Sequence, residues 1–172
     1  MIRRARRGVR TLVLLSVVSA IVGCTKPEPP RVLRQITPFE LTAQDGTSFG
    51  SEELAGTPYL VSFFFTSCST VCPPVMEEMK SIQDELIARE NPTRLISITV
   101  DPDNDSPDRL STYAKKLGAE SPGWTFLTGP NALVKEIVIN RLMTHMGEAS
   151  TDPAGLVDIG HGSHVLVIDG RG

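Results

Sequence analysis

Cys68 and Cys72 stand four residues apart in Cys-Ser-Thr-Val-Cys-Pro, directly after the apolar run 59–65. Across a turn, that spacing lets two sulfurs converge on one point, where they either close a disulfide or hold a soft metal ion. A strand end that feeds a helix start is where α/β proteins collect ligands. The flanking Thr66, Ser67, Ser69 and Thr70 are polar, so simple core packing explains the pair poorly. Cys72 falls in the first turn of the expected helix, where backbone N–H groups and the helix dipole favour a thiolate. The residues therefore leave two chemistries open, metal binding and thiol–disulfide exchange.

Other chemistry-bearing patterns are weaker. Asp101, Asp103 and Asp105 form D-P-D-N-D, but an EF-hand loop needs Gly at position six and Glu at twelve, where Ser106 and Thr112 stand. This acidic loop follows a strand end, so it either borders the site or caps the next helix in a solvated turn. No Ser-His-Asp set, phosphate loop or paired carboxylates stand out.

Hydrophobic periodicity supplies the elements that must position the cysteines. Phe39, Leu41 and Ala43 alternate with polar residues, Asp45-Gly46 signals a hairpin, and Phe49 lies on the return strand. The run 59–65 is apolar except for Ser62, as in a central strand buried on both faces. Val75, Met79, Ile82 and Leu86 follow at helical spacing from a start near Pro73-Pro74. Residues 95–100 read as a second strand. Ser106 caps, Pro107 opens and Gly118 closes a helix with Leu110, Tyr113, Ala114 and Leu117 inward. A short strand at 124–127, a helix over 130–146 with Val134, Val138 and Leu142 inward, and a last strand at 164–168 complete the series. Strands alternating with helices predict an α/β domain with a mostly parallel central sheet and an N-terminal β-hairpin.

The chain has 172 residues, is 40% hydrophobic and contains three cysteines. That suits one packed domain with an appendage, and it excludes a disulfide-stapled scaffold and a Cys₄ zinc cluster. The formal charge of -3 leaves no electrostatic footprint for nucleic acid. The average hides an asymmetry, because five arginines fall in the first ten residues and the rest carries 12 basic against 20 acidic groups. Those arginines, the apolar run 11–22 and the small residues after it have the layout of a secretory signal, and the run is too short to span a bilayer. Ile21-Val22-Gly23-Cys24 resembles a bacterial lipobox, in which Cys24 becomes the lipidated first residue. We therefore expect a lipoprotein signal peptide at 1–23, a lipidated Cys24 with a Pro-rich spacer over 24–35, and a folded domain over 36–172. That domain is expected on the extracytoplasmic, periplasmic side of a bacterial membrane.

The blocks FFFTSCSTVCP, ISITVDPDNDSPDRLSTYAKKLGAESPGWTFLTG and HGSHVLVIDG, in that order, resemble the Sco/SenC family of copper chaperones. The resemblance implies a thioredoxin-like three-layer sandwich that binds one Cu(I) or Cu(II) ion through two cysteines and a distant histidine. It implies a role in building the dinuclear copper site of cytochrome c oxidase, with the oxidase copper-site subunit and another periplasmic copper carrier as partners. Matched by motif, the ligands are Cys68, Cys72 and His161, which precedes Asp169 by eight positions, with His164 in reserve. Ser69 and Gly162 depart from the family pattern. Met143, His145 and Met146 suggest a second copper cluster, but read better as a helix end with Met146 packed inward. The resemblance also implies that a C-terminal strand and helix are missing after residue 172, leaving strand 164–168 with a bare edge. The competing reading is a thiol–disulfide oxidoreductase on the same fold, although such enzymes separate their cysteines by two residues instead of three.

Overall fold

The computed structural model describes residues 35–119, 123–151, 153, 155 and 157–172. The expected leader 1–23, Cys24 and all but the last residue of the spacer lie outside them. Strands β1 (Glu40–Ala43) and β2 (Ser48–Gly50) form the expected hairpin around Asp45-Gly46. Asp45 accepts from the Thr47 N–H and hydroxyl, and Gly46 takes a φ of 84°, the left-handed conformation the turn requires.

Three strands make the parallel centre, β3 (Tyr59–Phe64), β4 (Arg94–Thr99) and β5 (Trp124–Thr128). Helix α1 (Cys72–Ala88) joins the first two, and α2 (Pro107–Leu117) joins the second and third. Both crossovers advance in the same direction across the sheet, so their usual right-handedness puts both helices on one face, where they meet. Antiparallel strands close the flanks: β1 pairs with β5, and the last strand, β8 (Leu166–Ile168), pairs with β3. The six-stranded order is β2-β1-β5-β4-β3-β8.

The core is continuous through Val61, Phe63, Phe64, Ile96, Ile98, Phe126 and Leu127, all essentially solvent-free. Three polar groups buried with them pair with one another. Ser62 and Ser97 share a 2.7 Å hydroxyl contact, and the Trp124 indole N–H donates to Ser97.

Helix α2 follows the local signals closely. Ser106 Oγ accepts from the Arg109 N–H, and Gly118 ends the helix at φ 72°. A Cβ at Gly118 would also stand 3.2 Å from Lys80 Cε. Gly118→Ala is expected to lower stability by about 1–2 kcal/mol, read as an earlier urea midpoint with unchanged slope.

Three expectations need correction. The inner stripe of α1 is Cys72, Met76, Met79 and Gln83, at i, i+4, i+7 and i+11, while Val75, Ile82 and Leu86 are only half-buried. Burial of Cys72 sets that register, and a buried glutamine disguises it in a hydrophobicity pattern. The helix expected over 130–146 is shorter: α3 (Asn131–Glu136) runs into a π-helical turn, Ile137–Arg141, and stops. Met143 then takes a φ of 54°, which turns the chain out of the helix. Met146 is buried as expected, but it opens a strand, β6 (Met146–Thr151), that pairs antiparallel with β7 (Val157–His161). Val134, Val138, Leu142 and Met146 repeat every four residues, so the periodicity ran past the real helix end. The last strand is Leu166–Ile168, because residues 162–165 lead into it from the new hairpin.

Candidate metal centre

Strand β3 ends at Phe64, and the chain turns sharply, with the Cys68 N–H donating to the Phe65 carbonyl. Cys72 then opens α1. Helix starts leave four backbone N–H groups without intrahelical partners. Here Pro73 and Pro74 carry none, and the Cys72 N–H donates to Cys68 Sγ at 3.4 Å. The first cysteine thus caps the helix that carries the second.

The third member arrives from far along the chain. His161 ends β7, in register with Met146, and its Nε2 lies 3.4 Å from Cys72 Sγ. Its Nδ1 is 3.0 Å from the Gly162 carbonyl, which can only accept, so Nδ1 carries the proton and Nε2 presents a bare lone pair to the sulfurs. The Phe65 ring meets the imidazole edge-on, at 86° and 5.9 Å between centroids. Gly162 has no room for a side chain: a Cβ there would sit 2.6 Å from Thr144 and 2.7 Å from His164. The departure from the family pattern at this position is therefore matched by close packing.

Cys68 Sγ, Cys72 Sγ and His161 Nε2 all lie within 4.8 Å of one another. Ligands bound at about 2.3 Å (sulfur) and 2.0 Å (nitrogen) in a trigonal arrangement stand roughly 3.7–4.0 Å apart, so small side-chain shifts suffice to surround one ion. Among the described residues this is the one such group of His, Cys, Asp or Glu. His164 is exposed and contacts the Thr144 hydroxyl at 3.3 Å instead. Met143 and His145 are also exposed, the latter with its ring beside Gly147 and Gly160.

The two thiols are not equivalent. Burial raises the pKa of Cys68, but hydrogen bonds from Cys72 and from the backbone N–H groups of Thr70, Cys72 and Val71 outweigh it and leave the group below an ordinary thiol. Burial pushes Cys72 up to about 12, helped by its hydrogen bond to Cys68 and by the charges of Cys68 and Asp105. The helix start therefore favours a thiolate at Cys68, not at Cys72 as expected, because the Cys72 N–H points at its neighbour's sulfur and Cys72 itself is only 1% exposed. With metal absent and both thiols reduced, iodoacetamide at neutral pH is expected to alkylate Cys68 first. The Cys68 rate should level off below the ordinary thiol range, while the Cys72 rate keeps rising toward about 12. Peptide mass spectrometry reads the order, and equal rates would contradict this assignment.

Sequence reasoning missed what holds the cysteine turn. Asp105, fully buried, accepts from the Thr66 N–H at 3.0 Å, from the Thr66 hydroxyl and from the Thr99 hydroxyl at 2.6 Å. Arg109 adds a hydrogen bond to the Thr66 hydroxyl at 2.7 Å and stands 3.6 Å from the carboxylate. Asp101, also buried, accepts from Asn104 within the same loop. Two of the three loop carboxylates are therefore structural anchors, not a solvated turn.

A family model described as SCO1/SenC matches residues 28–172. The chain belongs to the SCO1/SenC family. Among its relatives is the SCO1 protein homolog of Bacillus subtilis, 39% identical over 95 residues that make up 55% of this chain and 49% of that protein. The chain thus spans about half the length of this relative. A SCO1/SenC family lipoprotein from Bacillus anthracis superposes with a TM-score of 0.70 at 29% identity, covering 80% of each chain. ScoI from Bradyrhizobium japonicum, solved with copper bound, gives a TM-score of 0.71 at 24% identity over 81% of this chain and 85% of that one, a likeness of fold. The SCO1/SenC fold is thioredoxin-like, and the mixed sheet with its parallel centre conforms to it.

Proposed function

We propose that this SCO1/SenC protein is a copper-binding chaperone, anchored to a membrane through Cys24 and working on the extracytoplasmic side, that supplies copper to the dinuclear site of cytochrome c oxidase. Cys68, Cys72 and His161 hold the ion. The observation that carries the reading is the convergence of two thiol sulfurs and one imidazole nitrogen within 4.8 Å. Thiolates select Cu(I), and the imidazole makes the same set acceptable to Cu(II), which suits a carrier whose cargo changes oxidation state. Zinc takes the same atoms but prefers a fourth protein ligand in closed structural sites. Family membership supports the oxidase role, and the Bacillus anthracis lipoprotein supports the anchor. Oxidation of Cys68 and Cys72 to a disulfide removes two ligands at once, so binding is gated by the thiol redox state.

The alternative, a thiol–disulfide oxidoreductase acting on the oxidase cysteines, draws support from the split between a reactive Cys68 and a buried Cys72. Anaerobic Cu(I) titration of the reduced chain distinguishes the two. The chaperone reading expects one ion per chain, no binding after oxidation, and slow turnover of model disulfides. Rapid disulfide turnover with weak, non-stoichiometric copper binding would establish the enzyme instead.

A further inference from the structure

At the other end of the parallel strands from Cys68, a groove of about 500 Å³ opens between the C-terminal half of α1 and the starts of β4 and β5. Among the described residues, two buried donors in its lining have no hydrogen-bond partner. Gln83, only 4% exposed, leaves its Nε2 unpaired, and Arg94 leaves its Nε unpaired. An orphaned buried donor costs about 1–3 kcal/mol, so native structures rarely keep two beside one opening without a use. The Arg94 guanidinium lies over the Phe49 ring at 5.9 Å, and among the described residues no carboxylate forms an ion pair with it.

The remaining polar lining is also biased toward donors. Gln44 Oε1 accepts from the Phe126 N–H at 2.8 Å, and Asn91 Oδ1 accepts from the Thr93 N–H at 2.9 Å. Each amide therefore spends its acceptor on the backbone and keeps its N–H₂ end. The walls include Leu86 and the exposed Ile87, with the buried Trp124 at the groove floor. Glu90 at the rim adds a negative charge that disfavours a dianion.

We propose that this groove binds a small organic monocarboxylate, its oxygens taken by the Gln83 amide and the Arg94 guanidinium and its apolar body laid along Leu86 and Ile87. Arg94 supplies charge, and the neutral amides add hydrogen bonds without further desolvation of ions. The proposal is independent of copper, because the groove contains none of the three metal-site residues.

Trp124 is the only tryptophan in the chain and lines the groove, so its fluorescence reports occupancy directly. The test titrates the metal-free, reduced full chain with phenylacetate, and in parallel with uncharged phenylacetamide and with inorganic phosphate. A saturable change with phenylacetate alone is expected. Gln83→Met and Arg94→Met should each weaken it by about tenfold or more. Gln83→Met removes an unpaired donor at nearly constant volume, so its urea midpoint should be no lower than the parent's. An equal response to phenylacetamide, an equal response to phosphate, undiminished binding in Gln83→Met, or no saturable change with any probe would each overturn the proposal.

Discussion

Cys68→Ala and Cys72→Ala are each expected to abolish stoichiometric Cu(I) binding, and His161→Ala to weaken copper binding by more than about a hundredfold. Partners that merely orient a metal ligand are worth about 10–100-fold, so loss of a ligand must exceed that. The histidine effect should be larger for Cu(II) than for Cu(I), because His161 is the single nitrogen donor of the set and two thiolates alone still suit the softer ion. His164→Ala is the internal control. Its ring contacts Thr144, so the variant should bind copper like the parent. Competition against a Cu(I) chelator measures all four. If His164→Ala lost copper while His161→Ala kept it, the proposed ligand set would be wrong.

Asp105→Ala is expected to destabilise the protein by about 2–4 kcal/mol, although Asp105 touches no metal ligand in the hydrogen-bond network. Its carboxylate accepts from one backbone N–H and two hydroxyls in a fully buried position, and truncation leaves the Thr66 N–H without its acceptor. Most of the effect comes from those lost hydrogen bonds. The Arg109 pair contributes little, because Arg109 is half-exposed and 3.6 Å away. Thr66 begins the turn that carries Cys68, so copper affinity should also fall, by about 10–100-fold. Asp105→Asn keeps one acceptor but turns an N–H₂ toward donors, and should fall between parent and Asp105→Ala. Urea unfolding of the metal-free protein isolates the stability effect, and an unchanged midpoint would show that the latch does not support the fold.

The sequence was most legible where one element explains itself. Ser106, Pro107 and Gly118 bound α2 as local chemistry requires, and Asp45-Gly46 turns the first hairpin. It misled where tertiary contacts override a period. Gln83 faces inward because Cys72 does, and Met146 kept a helical spacing while belonging to a strand. The β6–β7 hairpin leaves little trace in the sequence because 146–161 has few alternating apolar residues and β6 is exposed from Glu148 onward.

The sequence alone determined the α/β class, the strand–turn–helix junction and the pairing of Cys68 with Cys72, since each depends on residues within a few positions of one another. The motif match also singled out His161, but the residues by themselves left two histidines open. Only the tertiary structure decided which imidazole faces the sulfurs, which of its nitrogens is free, which thiol ionises first and what pins the cysteine turn. The first and last of these rest on contacts across 89 residues for His161 and 39 for Asp105, and the other two on burial and hydrogen bonds that exist only in the folded turn. At such separations the path of the chain, and not the spacing along it, sets distance, burial and charge.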